Sequence, residues 1–399
     1  MPKVLLYALL AIAALGAIYN LVALLPLLQS FAADGLPLAL VNRDFANVWM
    51  AARLILDESI MDLFAQDAYM EHLRLAFGAD YPLHAWSYPP HALLLVWPFG
   101  FLDYRLGLLA YWALGLTAFV FATATLLKTR GGQEHSSLLF AAVVAFVLLG
   151  IETAQNGLFT AAFLLLGVAW ARSRVILAAL AFALLTTKPQ LGVLIPLWML
   201  AERNWRLLTS TTVATVLFVG ISIAVFGADA WVGYIESTIP YQQFVLTDWQ
   251  GIFLPMMPTP FGAGRVLGFD ASTAYLLHWT VAAFSLVLVG VLLIRLEDAG
   301  LRLLAVVSGT FLVSPYAFSY DMGALVVLAA LAAGDPGNGL GGKIRALLGL
   351  SAVVPPLILR LGLTGLPVTP IVLFSLLLGL AWSARRSSVD SPASSLPAG

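Results

Sequence analysis

The sequence predicts an all-α, polytopic integral membrane protein, and three observations carry the prediction. Hydrophobic residues make up 61% of the 399 and charged ones only 10%. The mean hydropathy of +0.94 lies far outside the range of water-soluble domains. The apolar residues fall in a long series of runs with most charges between them, the pattern of helices solvated by lipid. A net charge of −1 with a pI near 6.5 leaves no basic surface for nucleic acid. With no cysteine in the chain, disulfides, thiolate chemistry and cysteine-based metal sites are excluded.

Crossing the hydrocarbon core takes about 20 apolar residues, and residues 4–28 supply them. They follow Met1-Pro2-Lys3 in the manner of a signal peptide. The run is too long for one, however, and lacks a small-residue cleavage site, so it reads as a retained first span. Residues 29–87 then carry Asp44, Asp57, Glu58, Asp62, Asp67, Glu71 and Asp80, too many charges for lipid, and form a large external loop. Within it Phe45, Val48, Trp49 and Ala52 recur at helical spacing. Leu63, Phe64, Met70, Leu73 and Phe77 mark a second amphipathic piece, and both are expected to lie along the membrane surface as interfacial helices.

Between 88 and 127 a short apolar piece, 92–102, contains Pro98 and precedes a longer one, 106–127. Further runs cover about 138–151, 157–170, 175–187, 191–201, 207–226, 274–294, 303–313, 322–333, 346–362 and 366–383. Several are short, which fits tilted, broken or enclosed helices. Basic residues decide the orientation. Lys3, Lys128, Arg130, Arg172, Arg174, Arg203, Arg206, Arg295, Arg302, Lys343, Arg345, Arg385 and Arg386 all fall on the cytoplasmic side if 88–127 makes one net crossing. That gives about 12 transmembrane helices in a unit spanning 1–386, with both ends inside. Two crossings at 88–127 would give thirteen and carry the following basic pairs outside. In the twelve-crossing arrangement the external face receives 29–87, a second loop at 227–273, and the polar motifs described next. The tail 387–399, rich in Ser, Pro and Ala, reads as disordered.

Asp44 stands out as a carboxylate at the membrane edge. As a helix N-cap it is among the preferred residues; as a general base it would sit at the mouth of a cleft whose low dielectric tunes it. Lys188, in Lys188-Pro189-Gln190, lies opposite the basic loops, where it either snorkels to outer headgroups or meets an anion such as a lipid phosphate. Gln155-Asn156-Gly157 and Tyr88-Pro89-Pro90-His91 offer hydrogen bonds to a sugar and also read as turn and helix-end signals. Tyr320-Asp321 is a cap or a site pair. Arg43 and Gln190 complete the substrate-binding candidates, with Arg265 and Arg360 as lesser ones that either contact phosphate or snorkel to headgroups. No Walker motif, His-Glu-x-x-His, Gly-x-Ser-x-Gly or Cys/His cluster occurs, and His72, His84, His91, His135 and His278 show no metal-ligand spacing.

The early Asp, Tyr88-Pro89-Pro90, Gln155-Asn156-Gly157, Lys188-Pro189-Gln190 and Ser314-Pro315 to Asp321 resemble, in this order, glycosyltransferase family 87 of the GT-C superfamily. These are polyprenol-phosphate-mannose-dependent α-(1→2)-mannosyltransferases and relatives. The resemblance implies a GT-C-type helical bundle in the plasma (inner) membrane with its active site on the extracytoplasmic face. It also implies a polyprenyl-phosphate-linked sugar donor, a glycolipid or glycan acceptor and a base in the first external loop, here Asp44. Ala154 stands where Gly usually precedes Gln-Asn, and Tyr316 where His is common after Ser-Pro, so sugar or acceptor preference is open.

The mechanism implied is a single inverting displacement. Asp44 deprotonates an acceptor hydroxyl while Lys188 neutralises the departing lipid phosphate. No metal is obligatory, and magnesium stays open. A transporter or flippase for lipids or lipid-linked sugars is the rival reading, but no inverted repeat is apparent; a membrane scaffold explains neither Asp44 nor Lys188. Cysteine introduced at position 156 or 188 of this cysteine-free chain is expected to react with an impermeant thiol reagent from outside the cell. Labelling from the cytoplasm alone would overturn the orientation.

Overall fold

The computed structural model describes residues 1–129, 137–249 and 251–389, and among them every regular element is helical. The first helix, α1 (Lys3–Ser30), runs 28 residues through Pro26. The acidic loop folds into α2 (Phe45–Leu56) and α3 (Gln66–Phe77), on the residues whose spacing predicts them. An irregular helical stretch, Pro90–Phe101, leads into the 26-residue α4 (Tyr104–Thr129). Next come α5 (Ser137–Thr153), α6 (Gly157–Trp170), α7 (Val175–Leu185), α8 (Pro189–Ala201) and α9 (Trp205–Phe226). Residues 228–247 are helical, with a wider π turn at Tyr234–Thr238. The chain ends in α10 (Pro260–Val266), α11 (Ala271–Arg295), α12 (Ala299–Val313), α13 (Gly323–Gly334), α14 (Gly342–Val353) and α15 (Val368–Val389). A break after α14 bends its continuation, Pro355–Leu363, by 51°.

Five of these, α1, α4, α9, α11 and α15, are long and apolar enough to cross a membrane alone, and α14 with its bent continuation makes up to six. The outer face of α9 exposes Val213, Val216, Leu217 and Ile221, an apolar surface that water does not tolerate at this extent. The protein is thus an all-helical membrane protein. The central helix is α13, whose run of Ala, Gly, Val and Leu is buried on all sides against α5, α6, α12 and α14. Small side chains allow that close approach.

Length sorts the rest. Helix α6 has 14 residues and α7 has 11, about 21 and 17 Å at 1.5 Å per residue, against a hydrocarbon core of about 30 Å. Helices α6, α7 and α8 alternate in direction along the chain, so their ends define two faces of the bundle. At one end Glu202 pairs with Arg172 at 2.8 Å and Arg302 at 2.7 Å, drawing together three of the connections that the positive-inside pattern assigns to one side. At the other end lie Gln155, Lys188 and Ser314. Arg130, His135 and 390–399, where most of the expected tail falls, lie outside the described residues, while the last helix itself continues through 389.

The external loop departs from expectation in what its apolar faces touch. Phe45 is fully buried, with Phe99, Tyr104 and Tyr111 ring centroids 5.8, 5.3 and 5.2 Å away. With Tyr69 and Trp86 these rings form a second core, separate from that of the bundle. The faces of α2 and α3 read as interfacial are therefore spent on protein, because the Pro90–Phe101 stretch folds back across α2. A Cβ at Gly100 would stand 2.7 Å from the Ala52 carbonyl oxygen, which is why glycine occupies that crossing. The 88–127 stretch thus holds one helix of spanning length and one short piece packed on α2. Phe45→Ala is expected to cost roughly 3–5 kcal/mol, read as a lowered unfolding temperature in detergent; a negligible loss would return this face to lipid.

Candidate active site

At the Lys188 end, a cavity of about 590 Å³ opens between the aromatic core of the external loop, the ends of α5 to α8, and the segment 234–256. Its lining mixes polar residues, Arg43, Asp44, Asn47, His84, Tyr88, Glu152, Gln155, Lys188 and Gln190, with aromatic and aliphatic ones, including Tyr241, Val245, Trp249, Ile252, Phe253, Tyr316, Phe318 and Tyr320.

Asp44 immediately precedes α2, in the cap position, yet its side chain makes no cap bond and its backbone is already helical at φ −63°, ψ −24°. Its carboxylate turns to the cavity instead. Tyr88 Oη donates to it at 2.6 Å and Asn47 Nδ2 at 3.1 Å, while Asn47 Oδ1 accepts from Tyr69 Oη at 2.8 Å. Tyr88 reaches Asp44 because the Pro after it confines it to extended backbone. Burial first, and the Asp44 charge second, push the Tyr88 phenol well above its ordinary range, so it remains protonated and a donor. Burial pulls the His84 imidazole below its usual range, so that ring enters the cavity neutral.

Lys188 sits in the break that Pro189 imposes between α7 and α8. It points inward rather than to headgroups: Nζ donates to Asp321 Oδ1 at 2.6 Å and lies 4.8 Å from the Tyr320 ring centroid and 5.9 Å from that of Tyr88. The pair is buried, and Asp321 Oδ2 also accepts from the Phe318 amide at 3.1 Å. Ammonium, ring face and carboxylate together fix the position of Lys188 while leaving donor capacity toward the cavity.

Gln155-Asn156-Gly157 sets this junction. A Cβ at Gly157 would fall 1.8 Å from the Tyr320 carbonyl oxygen, so only glycine lets α6 start against the turn carrying Asp321. Ala154 has φ +47°, a left-handed backbone that a Cβ resists.

Of the residues singled out from sequence, Arg43, Asp44, Tyr88, Gln155, Lys188, Gln190 and Tyr320 line the one cavity, and Asp321 lies beneath Lys188. Three others stand outside it. His91 hydrogen-bonds Thr186 at 3.1 Å and stacks on Trp231, propping the turn that leads to Lys188. The Asn156 backbone carbonyl accepts the first bonds of α6. Arg265 holds the Thr247 and Phe269 carbonyls. Sequence reasoning missed Asn47, His84, Glu152 and most of the aromatic lining. Asn47 carried a signal, one helical turn after Asp44; the others depend on tertiary placement.

Fold and cavity are those of a helical membrane protein with a chemically furnished cleft, and comparison with known families gives its class, a membrane glycosyltransferase. The model of glycosyltransferase family 87 matches residues 86–315, more than half of the chain, which belongs to that family. Searches of curated proteins and of solved structures returned no match. The match takes in Tyr88, Glu152, Gln155, Lys188 and Gln190 but begins after Asp44. Opposite effects are expected at two neighbouring positions. Ala154→Gly should raise stability by about 0.5–1 kcal/mol through relief of backbone strain, and Gly157→Ala should lower both stability and activity. Thermal unfolding of the two variants in detergent checks the pair.

Proposed function

We propose that this membrane glycosyltransferase moves a hexosyl unit, mannosyl first among candidates, from a polyprenyl-phosphate sugar to an extracytoplasmic glycolipid or glycan, with inversion. The observation that carries the reading is the Asp44 carboxylate, freed from helix capping and presented to the cavity that Lys188 also enters. In the step proposed, Asp44 takes the acceptor hydroxyl proton and the acceptor oxygen bonds to the anomeric carbon. The bond from that carbon to the phosphate oxygen breaks, and its electron pair leaves with the polyprenyl phosphate. The phosphate gains one negative charge, which Lys188 meets with the donors not engaged by Asp321.

The mixed lining of the cavity supports the same assignment. Its polar residues suit a sugar and a phosphate, and Trp249, Ile252, Phe253 and neighbours suit the first part of a prenyl chain. The wider frame of the proposal is a GT-C-type bundle of about twelve crossings, with shorter helices such as α6 and α7 counted among them, in the plasma membrane. The cavity end then faces outward, because the end gathered at Glu202 carries the basic connections.

Asp44→Asn keeps the shape of the side chain and an acceptor for Tyr88 but cannot take a proton. Purified variant and wild type, assayed with a panel of polyprenyl-phosphate sugars, are expected to differ by about 10²–10⁴-fold in transfer, with membrane insertion unchanged. Transfer near the wild-type rate would remove Asp44 as the base.

A further inference from the structure

A second carboxylate faces the cavity. Glu152, at the end of α5, pairs with Arg43 at 3.2 Å, and both line the cavity. Arg43 Nε is buried with no protein partner, and so is Oε1 of Gln155, three residues beyond Glu152. Two residues of the lining, Arg43 and Gln155, therefore carry a guanidinium donor and an amide acceptor that no protein atom satisfies, and Arg43 also holds the Glu152 carboxylate. Buried hydrogen-bonding groups are expensive to leave unmatched, so this part of the lining calls for a ligand rich in both donors and acceptors. An adjacent pair of hydroxyls matches it: the two oxygens of a carboxylate accept from two O–H groups, while Arg43 donates to a ligand oxygen.

Position selects which sugar. Arg43, next to Asp44 in the chain, ties Glu152 to the segment that carries Asp44, whereas Lys188 is bound by Asp321. We propose that Glu152, held by Arg43 and flanked by Gln155, reads a vicinal diol on the acceptor sugar and thereby sets which of its hydroxyls meets Asp44. The inference rests on the transferase reading above, since it is the acceptor hydroxyl that the base deprotonates.

Octyl hexopyranosides and their monodeoxy analogues, titrated calorimetrically onto the purified full chain in nanodiscs, test it without turnover. Removing either hydroxyl of one adjacent pair is expected to weaken binding to the wild type about tenfold. The Glu152→Gln variant should bind parent and deoxy compounds alike, and Glu152→Asp, which keeps the charge opposite Arg43, should retain the discrimination. Saturating polyprenyl phosphate should leave hexoside binding in place. Discrimination by Glu152→Gln equal to that of the wild type, no hexoside binding by the wild type, or displacement by polyprenyl phosphate would each overturn the proposal. Hexoside binding of the expected kind, in a protein that transfers from no polyprenyl-phosphate sugar, would sink the donor assignment while the diol site stood.

Discussion

A charge taken out of water must be paired, and the centre of this protein is arranged around one such pair. Lys188 and Asp321 are 133 residues apart in the chain and meet at 2.6 Å with almost no solvent contact. Loss of either partner would strand the other, at roughly 3–5 kcal/mol for a buried pair. Much local detail serves this meeting. Pro189 breaks the helix where Lys188 must turn inward, and Gly157 lets α6 abut the turn bearing Asp321. Ala154 accepts a strained backbone so that α5 can end where α6 begins.

Tyr88 extends the constraint from the pair to Asp44. Its hydroxyl bonds Asp44 while its ring lies beside the Lys188 ammonium. One rigid side chain thus sets the spacing between carboxylate and cation, and substitutions at Asp44 and Lys188 belong to one energetic unit rather than two.

Much of this was legible before any coordinates. Helices α2 and α3 follow from the spacing of Phe45, Val48 and Ala52 and of Met70, Leu73 and Phe77, since 3.6-residue periodicity survives in a single sequence. What such a pattern cannot say is whether an apolar face meets lipid or protein, and Phe45, read as interfacial, is buried among aromatic rings. The same limit explains Asp44, for which cap and cavity residue look identical until Tyr88 is brought across from 44 positions away. Motif reading offered His91, from Tyr-Pro-Pro-His, and Arg265, as a cation for phosphate, among ligand contacts; in the structure His91 bonds Thr186 and stacks on Trp231, and Arg265 holds the Thr247 and Phe269 carbonyls. Glu152 was overlooked because, at the end of an apolar run, nothing local announces that Arg43 will face it.

The short helices α6 and α7 have a consequence for how the lipid-borne donor proposed above would arrive. Counted as crossings, as in that proposal, they are about 10 Å shorter than the hydrocarbon thickness, which would set the floor of the cleft below the membrane plane rather than at it. A head group tethered to a long isoprenoid resists being lifted into water, at about 0.8 kcal/mol for each methylene exposed. A recessed floor removes that ascent. The polar end of such a molecule can slide in laterally while its tail stays dissolved in the bilayer, and only the water-soluble partner must descend.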